Sequence, residues 1–536
     1  MMRRSMVTLT INEAASGPAI YLETFGCQMN ELDSELVKGH LQALGYHFID
    51  DRSAADVVLF NTCSVREQAE NKVFSRVGQL RQEKQDGRTV IVGLLGCLAE
   101  REGAGLIKRI PEVDLLCGPG ELDRLPLLLD NVLKGQAVEA MDRVALQGST
   151  SRRSAALSAA GDSLEMLDLS RAFDPDAGAV GGRAAYVRIT RGCNKFCTYC
   201  VVPNTRGAEV HRQPDAIVEE CKTLADQGVV EVTLLGQTVN HYVYVHGAAV
   251  GVGGGEVPQV GPGLSAFRRD DSGGGGRRCT SFADLLGRIH EEVPAIKRLR
   301  FVTSYPRDFG DDILDVMQSS PRICRYLHVP AQSGSDRILK LMNRGYTVGH
   351  YQEFIDRAVA ALPDVCIAGD FIVGFPTESD EDFEATCDLV RAVPFKNNFV
   401  FKYSPRPGTV AIDRFTDDVP EEVKRRRLNE LLAIQSEVSR VVHEQEVGRV
   451  HQVFVEKQGT GRTEPSPSGG VTLGWAPSPA PTIQMSGRTP GDLITVFDVP
   501  ALESPKSLIG QIVPVRIESA APRLLRGRLQ KSCLVT

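Results

Sequence analysis

Apolar and polar positions follow different periods in different parts of the chain. Between residues 18 and 135, three short apolar runs at 20–25, 56–60 and 89–95 each lead into a segment with helical periodicity. Continuous apolar runs that alternate with helices are typical of strands buried on both faces of a parallel sheet. This part is therefore predicted to be a three-layer parallel α/β domain.

Between residues 183 and 415, six apolar runs alternate with helical segments, and a charged amphipathic helix is predicted over 416–446. Six alternating units predict a parallel sheet that curves into a partial (β/α)6 barrel, with functional residues at the carboxyl ends of the strands. From 447 to 520 the period changes to two, in short runs with turns, which predicts a small β-barrel. The six runs begin at Tyr186, Val229, Arg298, Arg325, Cys366 and Asn398.

Segments rich in glycine, serine, proline or basic residues separate or follow these parts. Glycine has the most backbone freedom to lose on folding, so runs such as Gly273–Gly276 do not favour regular structure. The pattern predicts a disordered lead, a linker, a disordered insertion, a loop and a basic tail, at 1–17, 136–182, 243–278, 457–481 and 521–536 in that order.

Composition and net charge limit which partners and which cellular location the protein is expected to have. The chain has 536 residues and a net charge of −7, so contact with nucleic acid is expected only through local basic patches such as Arg523, Arg526, Arg528 and Lys531. No apolar run reaches the length of a membrane span, and the basic start lacks the apolar stretch of a secretory signal. Thirteen cysteines in this context favour reduced thiols that bind metal over disulfides. We therefore expect a cytoplasmic monomer with no membrane partner.

Three cysteines, Cys193, Cys197 and Cys200, lie in one short loop directly after an apolar run; we call them the central cysteines. Thiolates are the ligands of iron–sulfur clusters, and three thiolates on a four-iron cluster leave one iron open to another ligand. A zinc site that lacks a nearby fourth ligand, or three structural cysteines, are the alternative interpretations. The spacing favours the cluster.

Three further cysteines, Cys27, Cys63 and Cys97, each follow a predicted strand of the first domain; we call them the N-terminal cysteines. The carboxyl ends of parallel strands lie at the same edge of a sheet, so these residues are expected to meet and form a second three-thiolate site. Three unrelated core cysteines are the alternative. Cys117 also follows an apolar run but lies outside this pattern, and we interpret it as a structural thiol.

The central cysteine loop, with Tyr199 just before its last cysteine, resembles the radical S-adenosylmethionine (SAM) superfamily. The stretch Thr24–Asn30, followed by Asp33-Ser34-Glu35, is similar to the methylthiotransferase family. Within that family, Gln28-Met29-Asn30 resembles the MiaB branch, the tRNA 2-methylthio-N6-dimethylallyladenosine synthases. The resemblance implies that the partial barrel is a radical SAM domain and that the C-terminal barrel is an RNA-binding TRAM domain.

This resemblance also implies cofactors, contacts and a reaction. Two [4Fe–4S] clusters and SAM are expected; the central cluster binds and cleaves SAM, and the N-terminal cluster takes part in sulfur insertion. The implied reaction converts N6-dimethylallyladenosine at position 37, in the anticodon loop of tRNA, to its 2-methylthio derivative. A donor such as flavodoxin or ferredoxin supplies electrons. The expected SAM contacts are Tyr199, Gln237, Asn240, Gln332 and Ser333.

Two alternatives remain. The nearer one is a methylthiotransferase that acts on threonylcarbamoyl-adenosine in tRNA or on a ribosomal protein; Gln28-Met29-Asn30 argues against it. The more distant one is a non-catalytic iron–sulfur protein that binds RNA or senses redox state. It leaves the polar and glycine-rich motifs at the strand ends unexplained.

Overall fold

The computed structural model describes residues 17–64, 67–136, 139, 142–147, 168, 182–246, 279–459, 482–500 and 505–530. The predicted lead (1–16), most of the predicted linker and insertion, and the loop from 460 to 481 lie outside these residues. Among the helices of the described part, none combines the length and apolar character needed to cross a membrane. The α/β class predicted from the sequence is confirmed.

The N-terminal domain is a six-stranded parallel sheet in the order β2-β1-β3-β4-β5-β6. Separate apolar cores cover its two faces, which gives the three predicted layers. The predicted linker begins too early, because β6 pairs with β5 and extends the sheet to Ala145. The elements are β1 (Ala19–Phe25), α1 (Gln28–Ala43), β2 (His47–Phe48), β3 (Val57–Thr62), α2 (Glu67–Gln85), β4 (Ile91–Gly96), α3 (Cys97–Glu102), α4 (Gly105–Arg109), β5 (Leu115–Cys117), α5 (Leu125–Leu133) and β6 (Val144–Ala145).

The central domain contains the six predicted parallel strands in sequential order. Two three-stranded sheets, β7-β10-β13 and β14-β15-β16, approach each other at a bridge between Leu299 and Ile323. The elements are β7 (Ala184–Arg188), β8 (Thr190–Arg191), α6 (Val202–Thr205), β9 (Val210–His211), α7 (Pro214–Asp226), β10 (Glu231–Leu235), β11 (Val243–Val245), β12 (Cys279–Ser281), α8 (Phe282–Glu292), β13 (Arg298–Phe301), α9 (Asp311–Ser319), β14 (Tyr326–His328), α10 (Asp336–Leu341), α11 (Val348–Ala361), β15 (Cys366–Val373), α12 (Asp380–Ala392), β16 (Phe395–Lys402) and α13 (Val410–Arg414).

The predicted insertion over 243–278 is wrong at its first boundary. Residues Val243–Val245 form β11, which pairs antiparallel with β12 at Cys279–Ser281. Tyr244 and Val245 of β11 are residue types that favour strands, and the glycine-rich run starts only after them. The two strands therefore close the base of the predicted insertion, and residues 247–278 lie outside the described part of the chain.

The C-terminal part is a long helix followed by a closed five-stranded barrel, β17-β18-β19-β21-β20. The predicted basic tail over 521–536 is wrong, because β20 extends to Ala521 and β21 completes the barrel; Leu525 and Leu529 of β21 pack into the barrel core while Arg526 and Arg528 face outward. Likewise, β17 extends into the predicted loop as far as Gln458. The elements are α14 (Glu421–Glu444), β17 (Val450–Gln458), β18 (Thr482–Arg488), β19 (Ile494–Pro500), β20 (Ile512–Ala521) and β21 (Leu524–Leu529).

Buried charges attach the C-terminal barrel to the central domain. Asp492, in the β18–β19 turn, lies 2.7 Å from the Lys396 ammonium of β16 and 3.6 Å from the guanidinium of Arg300 of β13. The side chains of Lys396 and Arg300 are each 5% exposed. These cations hold the pKa of the Asp492 carboxyl well below its usual range although burial opposes this. The barrel is thus fixed by paired charges that water does not reach.

Replacing Asp492 by alanine is expected to loosen this attachment. The buried Lys396 ammonium loses its carboxylate partner, and breaking a buried ion pair typically costs about 3–5 kcal/mol. Native-state hydrogen exchange should show a lower opening free energy for the barrel amides, whereas Asp498→Ala, on the exposed face of β19, should change it by less than about 0.5 kcal/mol. Equal protection in the two variants would contradict the role assigned to Asp492.

Candidate iron–sulfur sites

The strand register brings the N-terminal cysteines to one edge of the sheet. Thr62 of β3 pairs with Phe25 of β1 on one side and with Gly96 of β4 on the other. Each of these strands ends within two residues of one of the cysteines. A hydrogen bond from Cys63, helped by the nearby Arg206 and opposed by burial, lowers the pKa of Cys27 to about 6. The structure therefore places the three cysteines at neighbouring strand ends, and their shared cluster stays a prediction.

A buried amide network holds this edge in shape. The Asn30 amide donates to Asn61 Oδ1 (3.0 Å), and the Asn61 amide donates to the Asn30 carbonyl (2.8 Å) and to Ser34 Oγ (2.9 Å). Both asparagines are 0% exposed. The Cys27 thiol in turn donates to Asn30 Oδ1 (3.4 Å). The network fixes the first turn of α1 to the end of β3, and with it the relative positions of Cys27 and Cys63.

Glycine is required where the backbone passes this network. Gly96, immediately before Cys97, has φ 86° and ψ −157°, a region that only glycine occupies readily. A Cβ at Gly96 would lie 2.4 Å from Asn61 Oδ1 and 2.8 Å from the Thr62 carbonyl oxygen. Close approach of three strand ends thus depends on the absence of a side chain at this position.

The central cysteines lie in the loop after β8, as predicted. The Cys200 amide donates to the Cys197 carbonyl (3.0 Å), and the Cys193 amide donates to the Gly207 carbonyl (3.2 Å). Burial raises the pKa of Cys193 to about 11 and also raises that of Cys200. Buried thiols of this kind ionise when a metal supplies the compensating charge, so the donor set fits an iron–sulfur cluster.

Arg344 lies against the central cysteines. Its guanidinium is buried, donates to Cys197 Sγ (3.4 Å) and to the Pro330 carbonyl (2.9 Å), and lies 4.7 Å from the ring centroid of Tyr305. A cation in this place stabilises thiolate charge. The sequence analysis missed Arg344, because it lies far along the chain from the cysteine motif.

The predicted SAM contacts after β10 adjoin the central cysteines. Thr238 Oγ1 lies 3.9 Å from Cys193 Sγ, and Gln237 is half-buried beside it. Asn240, in contrast, uses both ends of its amide on the Tyr305 backbone: its nitrogen donates to the carbonyl oxygen and its oxygen accepts from the N–H, both at 2.8 Å. Asn240 thus joins the ends of β10 and β13, and Gln237 remains the better candidate for a ligand contact in this loop.

The other predicted contacts lie at further strand ends. Tyr199 packs against an apolar cluster that includes Phe375 and Tyr403, so it anchors the cysteine loop. Gln332 has φ 73°, a strained backbone for a residue with a side chain, and follows β14. Ser333 is buried and its hydroxyl accepts from the Ser335 amide (3.1 Å). All three positions surround the same end of the partial barrel, and their contact with SAM stays a prediction.

A group that the sequence analysis missed borders Cys193. Ligand atoms of Glu209, His211 and His241 lie within 4.8 Å of one another, and Glu209 Oε2 is 2.9 Å from His241 Nδ1. Burial lowers the pKa of His211 to about 4, so its imidazole is neutral at physiological pH. Among the described residues, neither the central nor the N-terminal cysteines have all three sulfur atoms within 4.8 Å of one another.

Buried charges connect the two cysteine sites. Asp33 of α1 accepts from Arg188 of β7 (2.9 Å) and from Arg206 (2.8 Å), which follows the central cysteines. The Asp33 and Arg188 side chains are 1% and 2% exposed, and Arg188 also pairs with the buried Asp168. Asp33 stands in the motif Asp33-Ser34-Glu35 quoted above, but nothing in the sequence indicated that it pairs with Arg188 and Arg206.

Comparisons with known proteins agree with this geometry. The model of the uncharacterized protein family UPF0004 matches residues 19–118, and that of the radical SAM superfamily matches 187–390. A tRNA-2-methylthio-N(6)-dimethylallyladenosine synthase of Rhodopirellula baltica is 39% identical over 511 residues, 95% of each chain. One from Burkholderia ambifaria is 38% identical over 512 residues, 95% of this chain and 96% of its own.

The chain belongs to the tRNA-2-methylthio-N(6)-dimethylallyladenosine synthase family. It is a radical SAM enzyme, which confirms the resemblance noted for both cysteine motifs. Among solved structures, the radical SAM methyltransferase TsrM from Kitasatospora setae, with cobalamin and a [4Fe–4S] cluster bound, aligns with a TM-score of 0.48 at 15% identity over 74% of each chain.

Gly96, at the end of β4, allows a test of the N-terminal site in this synthase-family chain, with Gly103 as the matched control. Gly96→Ala is expected to lower stability and iron retention at the N-terminal cysteines, because its Cβ overlaps Asn61 and the Thr62 backbone. Gly103 has nearly the same backbone angles, and its Cβ would meet nothing within 4 Å. Gly103→Ala should therefore show only the backbone cost of about 1–3 kcal/mol and keep its iron. Thermal unfolding and iron content of both variants measure this, and indistinguishable variants would refute the steric argument.

Proposed function

We propose that the chain inserts sulfur at C2 of N6-dimethylallyladenosine at position 37 of tRNA and methylates it, giving the 2-methylthio derivative. The observation that carries this proposal is the presence of two three-cysteine sites, one at strand ends of each domain, which are linked through Asp33. One site suffices for SAM cleavage. A second open site offers a place where the sulfur atom can be held for transfer.

The two sites take different parts in this reaction. An iron–sulfur cluster with an open iron supplies one-electron reduction and a place for a non-protein ligand. The central cysteines, with Arg344 against Cys197, hold the cluster that meets SAM, and Gln237 and Thr238 border it. The N-terminal cysteines hold the second cluster, and the Asn30–Asn61 network keeps their geometry fixed.

The closed C-terminal barrel carries an exposed basic surface suited to tRNA. Arg523, Arg526 and Arg528 of the β20–β21 hairpin are exposed. In the strand register, Arg516 of β20 lies opposite Arg528 of β21. Phosphates provide most of the affinity in such contacts. Two cations of the helix α14 pair within the protein: Lys424 pairs with Asp417 and Arg427 pairs with Asp380. An external donor such as flavodoxin or ferredoxin is proposed to reduce the central cluster.

Mass spectrometry of tRNA nucleosides from a deletion strain tests the substrate. We expect the 2-methylthio derivative to be lost and N6-dimethylallyladenosine to accumulate. Complementation with Cys117→Ala should restore the product, and Cys193→Ala should not. Cys117 is the matched control because it is buried in the N-terminal domain and bonds to the Glu121 carbonyl instead of facing either site. Loss of methylthio-threonylcarbamoyl-adenosine, or of a modified ribosomal protein, would replace the proposed substrate.

The basic surface of the barrel gives a second prediction. Replacing Arg523 and Arg526 by alanine should weaken tRNA binding and reduce the slope of log K against log salt by about two, because each exposed arginine that neutralises a phosphate adds about one. A control with Arg357→Ala and Arg391→Ala removes two exposed arginines from the helices of the central domain. Binding measured over a salt series should show the change only in the barrel variant. An equal change in both would assign the effect to net charge alone.

A further inference from the structure

Arg206 belongs to the central domain by sequence and to the N-terminal site by contact. It caps α6, which follows Cys200 directly and packs against α3, the helix that begins with Cys97. Burial raises the pKa of Cys97, and the positive charge of the nearby Arg206 guanidinium opposes that rise; the same charge helps to lower the pKa of Cys27. The side chain is 6% exposed. One charged group thus crosses from the loop of one cysteine set to the sulfur atoms of the other.

Asp33 fixes the orientation of this guanidinium. Its carboxylate accepts from Arg206 (2.8 Å) on one oxygen and from Arg188 (2.9 Å) on the other. Two arginines share one carboxylate here, so the pairing leaves positive charge available on the side of Arg206 that faces Cys97. The donor is preorganised, because moving it away would leave Asp33 and Arg206 buried without full compensation.

We propose that Arg206 is a positioning residue for the N-terminal cluster, whose guanidinium offsets thiolate charge beside Cys97 and raises the reduction potential of that cluster. Three thiolates make the site anionic, and reduction adds one more electron. A fixed cation in a region of low dielectric constant favours the more negative state. This inference rests on the proposed function, because it presumes that the N-terminal cysteines hold a cluster.

Arg344 provides the internal comparison. It is also buried, and it donates to Cys197 Sγ, at the central site (3.4 Å). Each three-cysteine site therefore has one buried arginine beside it. If charge acts locally, each arginine should affect its own cluster and not the other.

The test measures the potential of the N-terminal cluster in the full chain. Cys193, Cys197 and Cys200 are replaced by alanine so that only the N-terminal cluster remains. An EPR-monitored redox titration is then recorded without further change and with Arg206→Gln, Arg206→Lys or Arg344→Gln. We expect Arg206→Gln to lower the reduction equilibrium constant at least tenfold, which is 59 mV for one electron. Arg206→Lys keeps the charge and should recover most of this shift, and Arg344→Gln should leave the potential unchanged.

Each outcome decides the inference. A shift in Arg206→Gln that lysine rescues supports it, as does loss of iron in Arg206→Gln alone while Arg206→Lys binds iron. An unchanged potential in Arg206→Gln, a shift that lysine does not rescue, an equal shift in Arg344→Gln, or loss of iron in both Arg206 variants overturns it and leaves the proposed function standing. Absence of iron at the N-terminal cysteines of the parent chain overturns both.

Discussion

The pairing of Asp33 with Arg188 and Arg206 is the constraint on which the arrangement of the two sites depends. All three side chains are almost inaccessible to water. Taking such charges out of water is costly, and only their mutual pairing in a defined geometry offsets that cost. Because Asp33 lies in the first helix and its partners flank the central cysteine loop, the pairing holds two domains in one orientation. A slight rotation between the domains would leave a buried charge unpaired.

The same logic applies on a smaller scale within each site. At the N-terminal edge, the parallel register places the three strand ends together, and the Asn30–Asn61 network and Gly96 allow them to approach closely. At the central site, short backbone hydrogen bonds within the cysteine loop and the buried Arg344 perform the equivalent task. Both sites are thus built on strand ends supported by a packed sheet, where catalytic groups can be held precisely.

The local sequence pattern was enough to predict the fold class, the strands, and the positions of the three central and three N-terminal cysteines after strands. Hydrophobic periodicity and ligand spacing are properties of short stretches, so they can be recognised without the fold. Pairings across long sequence distances were not predictable. Arg344 reaches Cys197 only through the fold of the central domain, and Arg206 reaches Asp33 only because the two domains pack together. The misplaced boundaries have a similar cause: β6 and β21 are short or highly charged, and they become strands by pairing with neighbours already in place.

The division of labour between the two cysteine sets is the central claim, and metal content tests it most directly. Iron and sulfide are measured after anaerobic reconstitution of the full chain and of a variant with Cys27, Cys63 and Cys97 replaced by alanine, with SAM cleavage assayed on both. We expect about eight irons in the full chain, as two four-iron clusters require, and half of that in the variant, which still cleaves SAM. Equal iron in both proteins would contradict the account, because the N-terminal cysteines would then hold no cluster.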